Sequence, residues 1–191
     1  MYTFKHLPQS FFERKPHIVA RDLIGKLLVR TLKNEQWVFR IIETEAYGYT
    51  DDPASHTYNG LNKRNASMFG PAGHMYVYLS YGIHYCMNFV SKEKDSKAGG
   101  VLIRALEIVS GPNHREIDQR ICSGPGKLTK FLEIDLNHNG HMLGIHLIVA
   151  DAPKTQVVED IRIGISKGQD FLWRFVEKDN PIISKAIQKR L

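Results

Sequence analysis

Hydrophobic and polar residues alternate along several stretches of this chain, and a two-residue period indicates a strand with one buried face. LLVRTL at 27–32 and QWVFRIIETEAY at 36–47 are predicted to pair across the polar turn at 33–35. A second hairpin is predicted over 75–91, where Tyr81-Gly82 interrupts the alternation. Four more segments read as strands: VLIRALEIV at 101–109, IHLIVAD at 145–151, DIRIGIS at 160–166 and WRFVE at 173–177.

Signals for helices are fewer. Residues 10–13, Ser-Phe-Phe-Glu, match a capping box that would open a short helix, and Pro16 suits the first turn of a second. Ser-Gly-Pro-Gly at 123–126 precedes a helical pattern over 127–134, whereas Asp, Pro, Asn and Gly make 51–74 a long ordered loop. Strands outnumber helices and join by short turns, which predicts one α+β domain over 1–191 with a mainly antiparallel sheet.

Length and composition narrow the function classes. The 191 residues suit one domain, and no apolar run approaches the ~18 residues that a membrane helix needs. Charge and proline interrupt the first 17 residues, so no secretory signal is expected. Two cysteines, Cys86 and Cys122, make no disulfide framework, and a reduced cytoplasmic location and a monomer are the simplest expectations.

Charge and histidine content bear on the ligands. Lysine and arginine number 26 against 20 acidic residues, a net charge of +6 that fits nucleic acid but also small anions or no special partner. Nine histidines are scattered, and the polar cluster Asn137–His141 is typical of a turn rather than a zinc site. No metal and no cofactor are expected.

A cluster of charged residues follows the apolar part of 36–47. Strict alternation would place Glu43, Glu45 and Tyr47 on the same face as Trp37 and Phe39, at the rim of a core where partial burial prepares carboxylates for chemistry. The alternative is a strand that simply emerges into solvent.

Arg104 lies inside the apolar run 101–106 and therefore needs a partner, because an unpaired buried charge is very costly. Glu43 or Glu45 is the natural partner, and a purely structural ion pair is the competing interpretation.

The tyrosines of 75–91 raise a separate hypothesis. Tyr76, Tyr78 and Ser80 share one strand face, and Tyr81 stands at the bend, where few neighbours can bury it. An exposed ring can wedge between DNA bases, and walls such as Tyr47 and Tyr78 can stack a base for ~1–3 kcal/mol. Packing of these rings in a core or an interface is the alternative.

Several spaced motifs together resemble the alkyladenine DNA glycosylase family, also called methylpurine or 3-methyladenine DNA glycosylase. The resemblance covers most of the chain and is strongest from about 38 to 128. Its motifs, in order, are ETEAY at 43–47, His56, RNASMF at 64–69, YVYLSYG at 76–82, CMN at 86–88, LIRALE at 102–107 and CSGPGKL at 122–128.

The resemblance implies a single domain with a curved antiparallel sheet and surrounding helices. It implies excision of alkylated and deaminated purines from double-stranded DNA. Glu45 would be the acid–base residue that activates water, and Arg104 would hold that water and the carboxylate. The backbone at 162–165 would help to position the water.

The substrate-binding residues follow in the same way. Tyr47, His56 and Tyr78 would sandwich the extruded base, and electron-rich rings would favour a cationic base by ~0.5–2 kcal/mol. Asn88 would exclude the 2-amino group of normal guanine. Tyr81 would fill the gap left in the duplex.

Three further expectations concern the reaction and its competitors. No lysine matches a position for a Schiff base with the sugar, so a monofunctional enzyme is predicted. Lys127, with the backbone at 123–127, is a candidate phosphate contact, and a plain helix entry explains that segment equally well. A non-enzymatic damaged-DNA-binding module and a hydrolase of free nucleosides are the alternative functions. The first would not need Glu45 with Arg104, and the second would not need Tyr81 at a bend.

Overall fold

An eight-stranded sheet organises residues 4–188, the part of the chain that the computed structural model describes. Every strand pairing in it is antiparallel. The strands are β1 Leu27–Leu32, β2 Glu35–Tyr47, β3 Met75–Ser80, β4 His84–Val90, β5 Gly100–Ser110, β6 Leu147–Ala150, β7 Val157–Asp160 and β8 Arg174–Glu177.

Strand β2 is the axis of the sheet, whose main order is β3-β4-β5-β2-β1-β6. Residues 35–40 of β2 pair with β1. Beyond β1, residues 43–45 of β2 pair with β8, which in turn pairs with β7. The other edge of β2 pairs with β5 from Val38 to Tyr47. One long strand therefore joins two groups of strands, and the sheet curves where they diverge.

Three short α-helices pack around this sheet within residues 4–188: α1 Gln9–Phe12, α2 Pro16–Leu23 and α3 Pro125–Phe131. Helix α2 begins at Pro16, as predicted, and buries Val19, Ala20 and Leu23 in the main core. Helix α3 begins at Pro125 and buries Leu128. The predicted single α+β arrangement with a curved antiparallel sheet is confirmed.

The predicted alternation along β2 is wrong beyond Ile41. The β2–β5 ladder changes register between Ile41 and Glu43 and again between Glu43 and Thr44. The irregular register exchanges the two faces of the strand. Phe39 and Ile41 point into the main core, but further along β2 it is an even-numbered residue, Ala46, that points there. Glu43 and Glu45 consequently lie on the opposite face of the sheet.

Two local predictions also fail. Helix α1 begins one residue before the expected Ser10, after Pro8, and no side chain caps it, so the capping box does not form. The segment 160–166 is not a strand: β7 ends at Asp160, and a loop follows in which Gly164 has a positive φ of 74°. No helix in residues 4–188 is long and apolar enough to cross a membrane.

Candidate active site

A cavity of about 600 Å³ opens on the sheet face opposite the main core. Strands β2 to β5 form its floor, the loop at 54–68 and the segment 163–165 form its sides, and the tip of the β3–β4 hairpin stands at its rim. Of the residues predicted to form the site, the cavity is lined by Tyr47, His56, Tyr78, Tyr81, Asn88 and Arg104.

One row of directly opposed residues crosses the sheet beneath this cavity. The strand registers place Tyr76 opposite Asn88, Asn88 opposite Leu102, Leu102 opposite Glu45, and Glu45 opposite Arg174. Opposed residues in an antiparallel pair project to the same face. Residues far apart in sequence are thus brought onto one surface by strand pairing.

Glu45 is fully buried directly behind the cavity wall. Its Oε2 accepts hydrogen bonds from the Tyr47 hydroxyl at 2.8 Å and from Arg104 Nη1 at 3.2 Å. Its Oε1 accepts one from the Ile163 amide at 2.6 Å. All three donor residues line the cavity, so they lie between the carboxylate and the cavity interior.

A second buried carboxylate, Glu43, supports the first. Its Oε1 accepts from Arg174 Nε at 2.8 Å, Arg104 Nε at 3.3 Å and the Ser184 hydroxyl at 2.9 Å. Its Oε2 accepts from the Ser184 amide at 2.5 Å, and Arg174 also donates to Asp160 at 2.7 Å. Three carboxylates therefore share two guanidinium groups, and backbone and hydroxyl donors complete their hydrogen bonding.

These contacts fix the protonation of two neighbours. Burial raises the pKa of Tyr47 well above its ordinary value, and the charge of Glu45 and its hydrogen bond raise it further, so Tyr47 stays a donor. Burial alone would lower the pKa of Arg104, but Glu45 and Glu43 outweigh it and leave that pKa raised. Arg104 is therefore a permanent cation beside Glu45.

Aromatic rings form the remaining wall of the cavity. Tyr76 stacks on Tyr78 with ring centres 5.3 Å apart, and His56 packs edge-on against Tyr78 at 4.6 Å. His56 Nδ1 lies 3.0 Å from the Tyr76 hydroxyl. Loss of solvent around the ring, and then the charge of Arg64, lower the pKa of His56, while burial raises the pKa of Tyr76 to about 12. The rings of this wall are therefore uncharged at neutral pH.

Two guanidinium groups lie against the proposed stacking rings. Arg162 lies 4.8 Å from the centre of the Tyr47 ring, and Arg64 lies 5.1 Å from that of Tyr78. Each ring thus already has a cation within cation–π distance. The preference of these rings for a cationic base stays a prediction.

The hairpin tip contrasts with the buried floor. Tyr81 is 86% exposed and Ile83 is 81% exposed. Tyr81 and Gly82 have φ of 50° and 70°, and the Ile83 amide closes the turn on the Ser80 carbonyl at 3.0 Å. A positive φ costs little at glycine but is unusual for tyrosine, so the turn holds an exposed ring in a conformation that its side chain disfavours.

Asn88 and Lys127 occupy different settings. Asn88 is buried in the cavity floor, where its Nδ2 donates to the Tyr76 carbonyl at 3.1 Å, which fixes the orientation of the amide. Lys127 is exposed in the first turns of α3, next to the cavity-lining Pro125 but outside the cavity itself. It belongs to none of the ion pairs found within 4–188.

Several residues of the site are not among those predicted from the sequence. Arg64, Met68, Tyr76 and Cys86 also line the cavity, and Ser184 reaches Glu43 from the C-terminal segment. The motifs RNASMF, YVYLSYG and CMN include the first four, so their neighbourhood could have indicated them. Within 4–188, no group of three or more His, Cys, Asp or Glu side chains is arranged to hold a metal ion.

Known proteins match this chain along most of its length. Residues 10–181 match the sequence model of a family described as Methylpurine-DNA glycosylase (MPG). The chain is 44% identical to a protein of Carboxydothermus hydrogenoformans over 94% of this chain and 98% of the relative. It is 42% identical to a protein of Bradyrhizobium diazoefficiens (97% and 94% covered) and 42% identical to one of Methanocella arvoryzae (94% and 96%). The names of all three contain the words 3-methyladenine DNA glycosylase. The chain belongs to the methylpurine-DNA glycosylase family.

Proposed function

We propose that this protein is a monofunctional DNA glycosylase that flips damaged purines out of double-stranded DNA and releases them by attack of water at C1′. The substrates would be 3-methyladenine, 7-methylguanine, hypoxanthine and ethenoadenine. The observation that carries the proposal is the position of Glu45, paired with Arg104 behind a cavity that has an exposed tyrosine, Tyr81, at its rim.

Flipping comes first, because C1′ is inaccessible in a stacked duplex and extrusion costs a few kcal/mol. Tyr81 enters the space left by the nucleotide, and Tyr47, Tyr78 and His56 receive the base. Stacking worth ~1–3 kcal/mol per base offsets the cost of extrusion. Asn88, held by its bond to Tyr76, limits which purine edges fit the floor.

Hydrolysis follows at the cavity floor. An ionised carboxylate offers about four lone-pair sites, and the donors Tyr47, Arg104 and Ile163 occupy three of those on Glu45. The proposed reaction requires the attacking water to pass from the cavity between these donors to the remaining site, where it donates to Glu45 and is also held by Arg104.

In the chemical step, the water oxygen bonds to C1′ and its proton passes to Glu45. The glycosidic C–N bond breaks with its electron pair going to the purine, which neutralises a cationic base such as 7-methylguanine, whereas a neutral base such as hypoxanthine must also take up a proton to leave as a neutral molecule. The negative charge of Glu45 also stabilises the positive charge that develops on the sugar.

The test is base release from duplexes that contain hypoxanthine or ethenoadenine, and from methylated genomic DNA. The wild-type protein should release the free base, and Glu45→Gln should be slower by about 10²–10⁴-fold, because general-base help is of that size. Glu93→Gln, at an exposed position, is the matched control. Equal release by both variants would remove Glu45 from its role.

The same experiment separates the enzyme from a non-enzymatic damaged-DNA-binding module. Such a module would also use the exposed Tyr81 and the net charge of +6, and it would bind the lesion duplexes without releasing a base. A buried pair such as Glu45 and Arg104 is costly to maintain and has no use in simple binding.

A monofunctional reaction leaves an abasic site with an intact backbone. None of the cavity-lining residues within 4–188 is a lysine, so no amine is placed to form a Schiff base with the sugar. Borohydride should therefore trap no covalent complex with DNA, and a trapped complex would contradict this assignment. All the residues of the site come from one chain, and a monomer should be sufficient for activity.

A further inference from the structure

Arg162 and Asp52 form a buried ion pair beside the cavity that the proposed mechanism does not use. Arg162 Nη1 lies 2.6 Å from Asp52 Oδ2, and Nη2 lies 2.8 Å from Oδ1. Neither side chain has any exposed surface. A two-pronged contact of this kind fixes the orientation of both groups as well as their distance.

The pair holds the strand end that carries Tyr47. Arg162 Nη1 also donates to the Ala46 carbonyl at 2.9 Å, and the guanidinium lies against the Tyr47 ring. On its other sides it meets the ring of Trp173 at 5.4 Å and that of Phe171 at 6.0 Å. The guanidinium is thus enclosed by rings and supports Tyr47 from behind, since Arg162 itself does not line the cavity.

Asp52 organises the loop that carries His56. Its Oδ2 accepts from the Gly48 amide at 2.9 Å, and its Oδ1 accepts from the Ala54 amide at 3.1 Å. Ala54 and His56 both line the cavity. The carboxylate therefore connects the loop at 48–56 to the same guanidinium that supports Tyr47.

Arg162 also contacts the turn to which it belongs, and residues 163–165 of that turn form another side of the cavity. Its Nη2 donates to the Gly168 carbonyl at 3.1 Å, which closes the turn 162–168 on itself. The next residue, Ile163, donates its amide to Glu45. The Arg162 guanidinium is thus hydrogen-bonded within the same turn that supplies the Ile163 amide to Glu45.

We infer that Arg162, locked to Asp52, is a positioning residue that sets both the stacking face of Tyr47 and the Ile163 amide at Glu45. This inference rests on the proposed function, because it concerns the placement of a flipped base and of the group that activates water. A fold-stabilising ion pair with no effect on the reaction is the alternative. The inference predicts slower base release with unchanged binding to DNA, whereas the alternative predicts no such separation between the two measurements.

The first experiment compares the wild type with Arg162→Lys, which keeps the charge but cannot make the two-pronged contact. Base release from hypoxanthine duplexes is measured in single turnover, and binding is measured to a duplex that carries a tetrahydrofuran abasic-site analogue. Release should slow by about 10²-fold, the cost of misplacing reacting groups by roughly 1 Å. Binding to the abasic duplex, which places no base against Tyr47, should stay within about twofold.

A milder variant covers the case in which Arg162→Lys fails to fold. A Cβ at Gly168 would lie 2.9 Å from Arg162 Nη2 and 3.3 Å from Asp52 Oδ1, so Gly168→Ala shifts the pair without removing a charge. Release should slow by roughly threefold to tenfold through the same misplacement. Gly144→Ala is the matched control, because Gly144 also has a positive φ but its Cβ would meet nothing within 4 Å.

The outcomes are distinct. Slower release with unchanged abasic binding supports the inference. Folded Arg162→Lys and Gly168→Ala proteins that release base at the wild-type rate would overturn it and leave the proposed function intact. Parallel loss of base release and abasic binding would assign the pair a structural role alone. A wild-type protein that releases no base from any lesion would overturn the proposed function itself.

Discussion

The buried floor of the cavity and the exposed hairpin tip differ in how their side chains are held. At the floor, Glu43 and Glu45 are fully buried, and each carboxylate oxygen is held by at least one donor. At the tip, Tyr81 and Ile83 project into solvent from the three-residue loop between β3 and β4. Removing a group from the floor should damage both fold and reaction, whereas removing a ring from the tip should damage the reaction alone.

This difference matches what each region would have to do. A charge that acts on a developing positive centre is effective when its position is fixed before the reaction begins. A wedge must leave solvent and enter the duplex, so contacts that held it against the protein would oppose its function. Rigidity at the floor and exposure at the tip are therefore complementary requirements of the proposed reaction.

Glu43→Gln should have the largest effect on the protein. It removes the charge shared by Arg104 and Arg174 and presents an amide N–H to existing donors, and breaking a buried ion pair costs about 3–5 kcal/mol. Base release should fall as well, because Arg104 loses one of its two carboxylate partners. Urea unfolding of Glu43→Gln and of the exposed control Glu93→Gln gives the comparison. A loss in unfolding free energy no larger than that of the control would show that the buried ion pairs of Glu43 do not stabilise the fold.

Tyr81→Ser should be the next largest, and its effect should fall on activity. Without the ring, the space left by the flipped nucleotide stays empty, and excision should slow by roughly 10–10²-fold, since unstacking costs a few kcal/mol. The unfolding free energy should change by less than about 0.5 kcal/mol, because the residue is exposed. Tyr81→Phe keeps the ring and should keep the activity. Unfolding of Tyr81→Ser would favour a packing role instead.

The sequence predicts local features of this molecule well. The hairpin around Tyr81-Gly82 follows from a two-residue period broken at one glycine, and α2 follows from Pro16 ahead of a helical apolar pattern. The pairing of Arg104 with a carboxylate follows from one charge inside an apolar strand, and the structure shows it with both Glu43 and Glu45. The catalytic and base-binding roles of these residues stay predictions.

Features that depend on distant partners are not predictable in this way. The register shifts beside Glu43 arise from the pairing of β2 with β5, and no local pattern signals which face they exchange. Arg162 and Asp52 are 110 residues apart, and Ser184 and Glu43 are 141 apart. The apolar alternation over 160–166 suggested a strand, but this stretch instead provides the Ile163 amide for Glu45.

Arg64→Gln should produce a smaller effect, on selectivity. Arg64 is a permanent charge at the cavity beside Tyr78, and it repels a cationic base such as 7-methylguanine more than a neutral one such as hypoxanthine. Solvent screening limits such an exposed interaction to about 1 kcal/mol or less. The ratio of release rates, 7-methylguanine over hypoxanthine, should rise by about threefold to fivefold. Lys63→Gln, a neighbouring exposed charge outside the cavity, should leave the ratio unchanged.

The pH dependence of the unfolding free energy that arises from His56 should be the smallest effect. Loss of solvent and the nearby Arg64 lower the pKa of His56 below 6.5, so the folded protein binds this proton less readily than the unfolded chain. The stabilisation is fully present above pH 6.5 and is lost as pH falls through the folded-state pKa. The wild type should therefore lose more unfolding free energy than His56→Gln between pH 7.5 and 5. The His56 ring proton, followed by NMR, should titrate below 6.5 and shift upward in Arg64→Gln, and an unchanged midpoint there would show that Arg64 exerts no field at this wall.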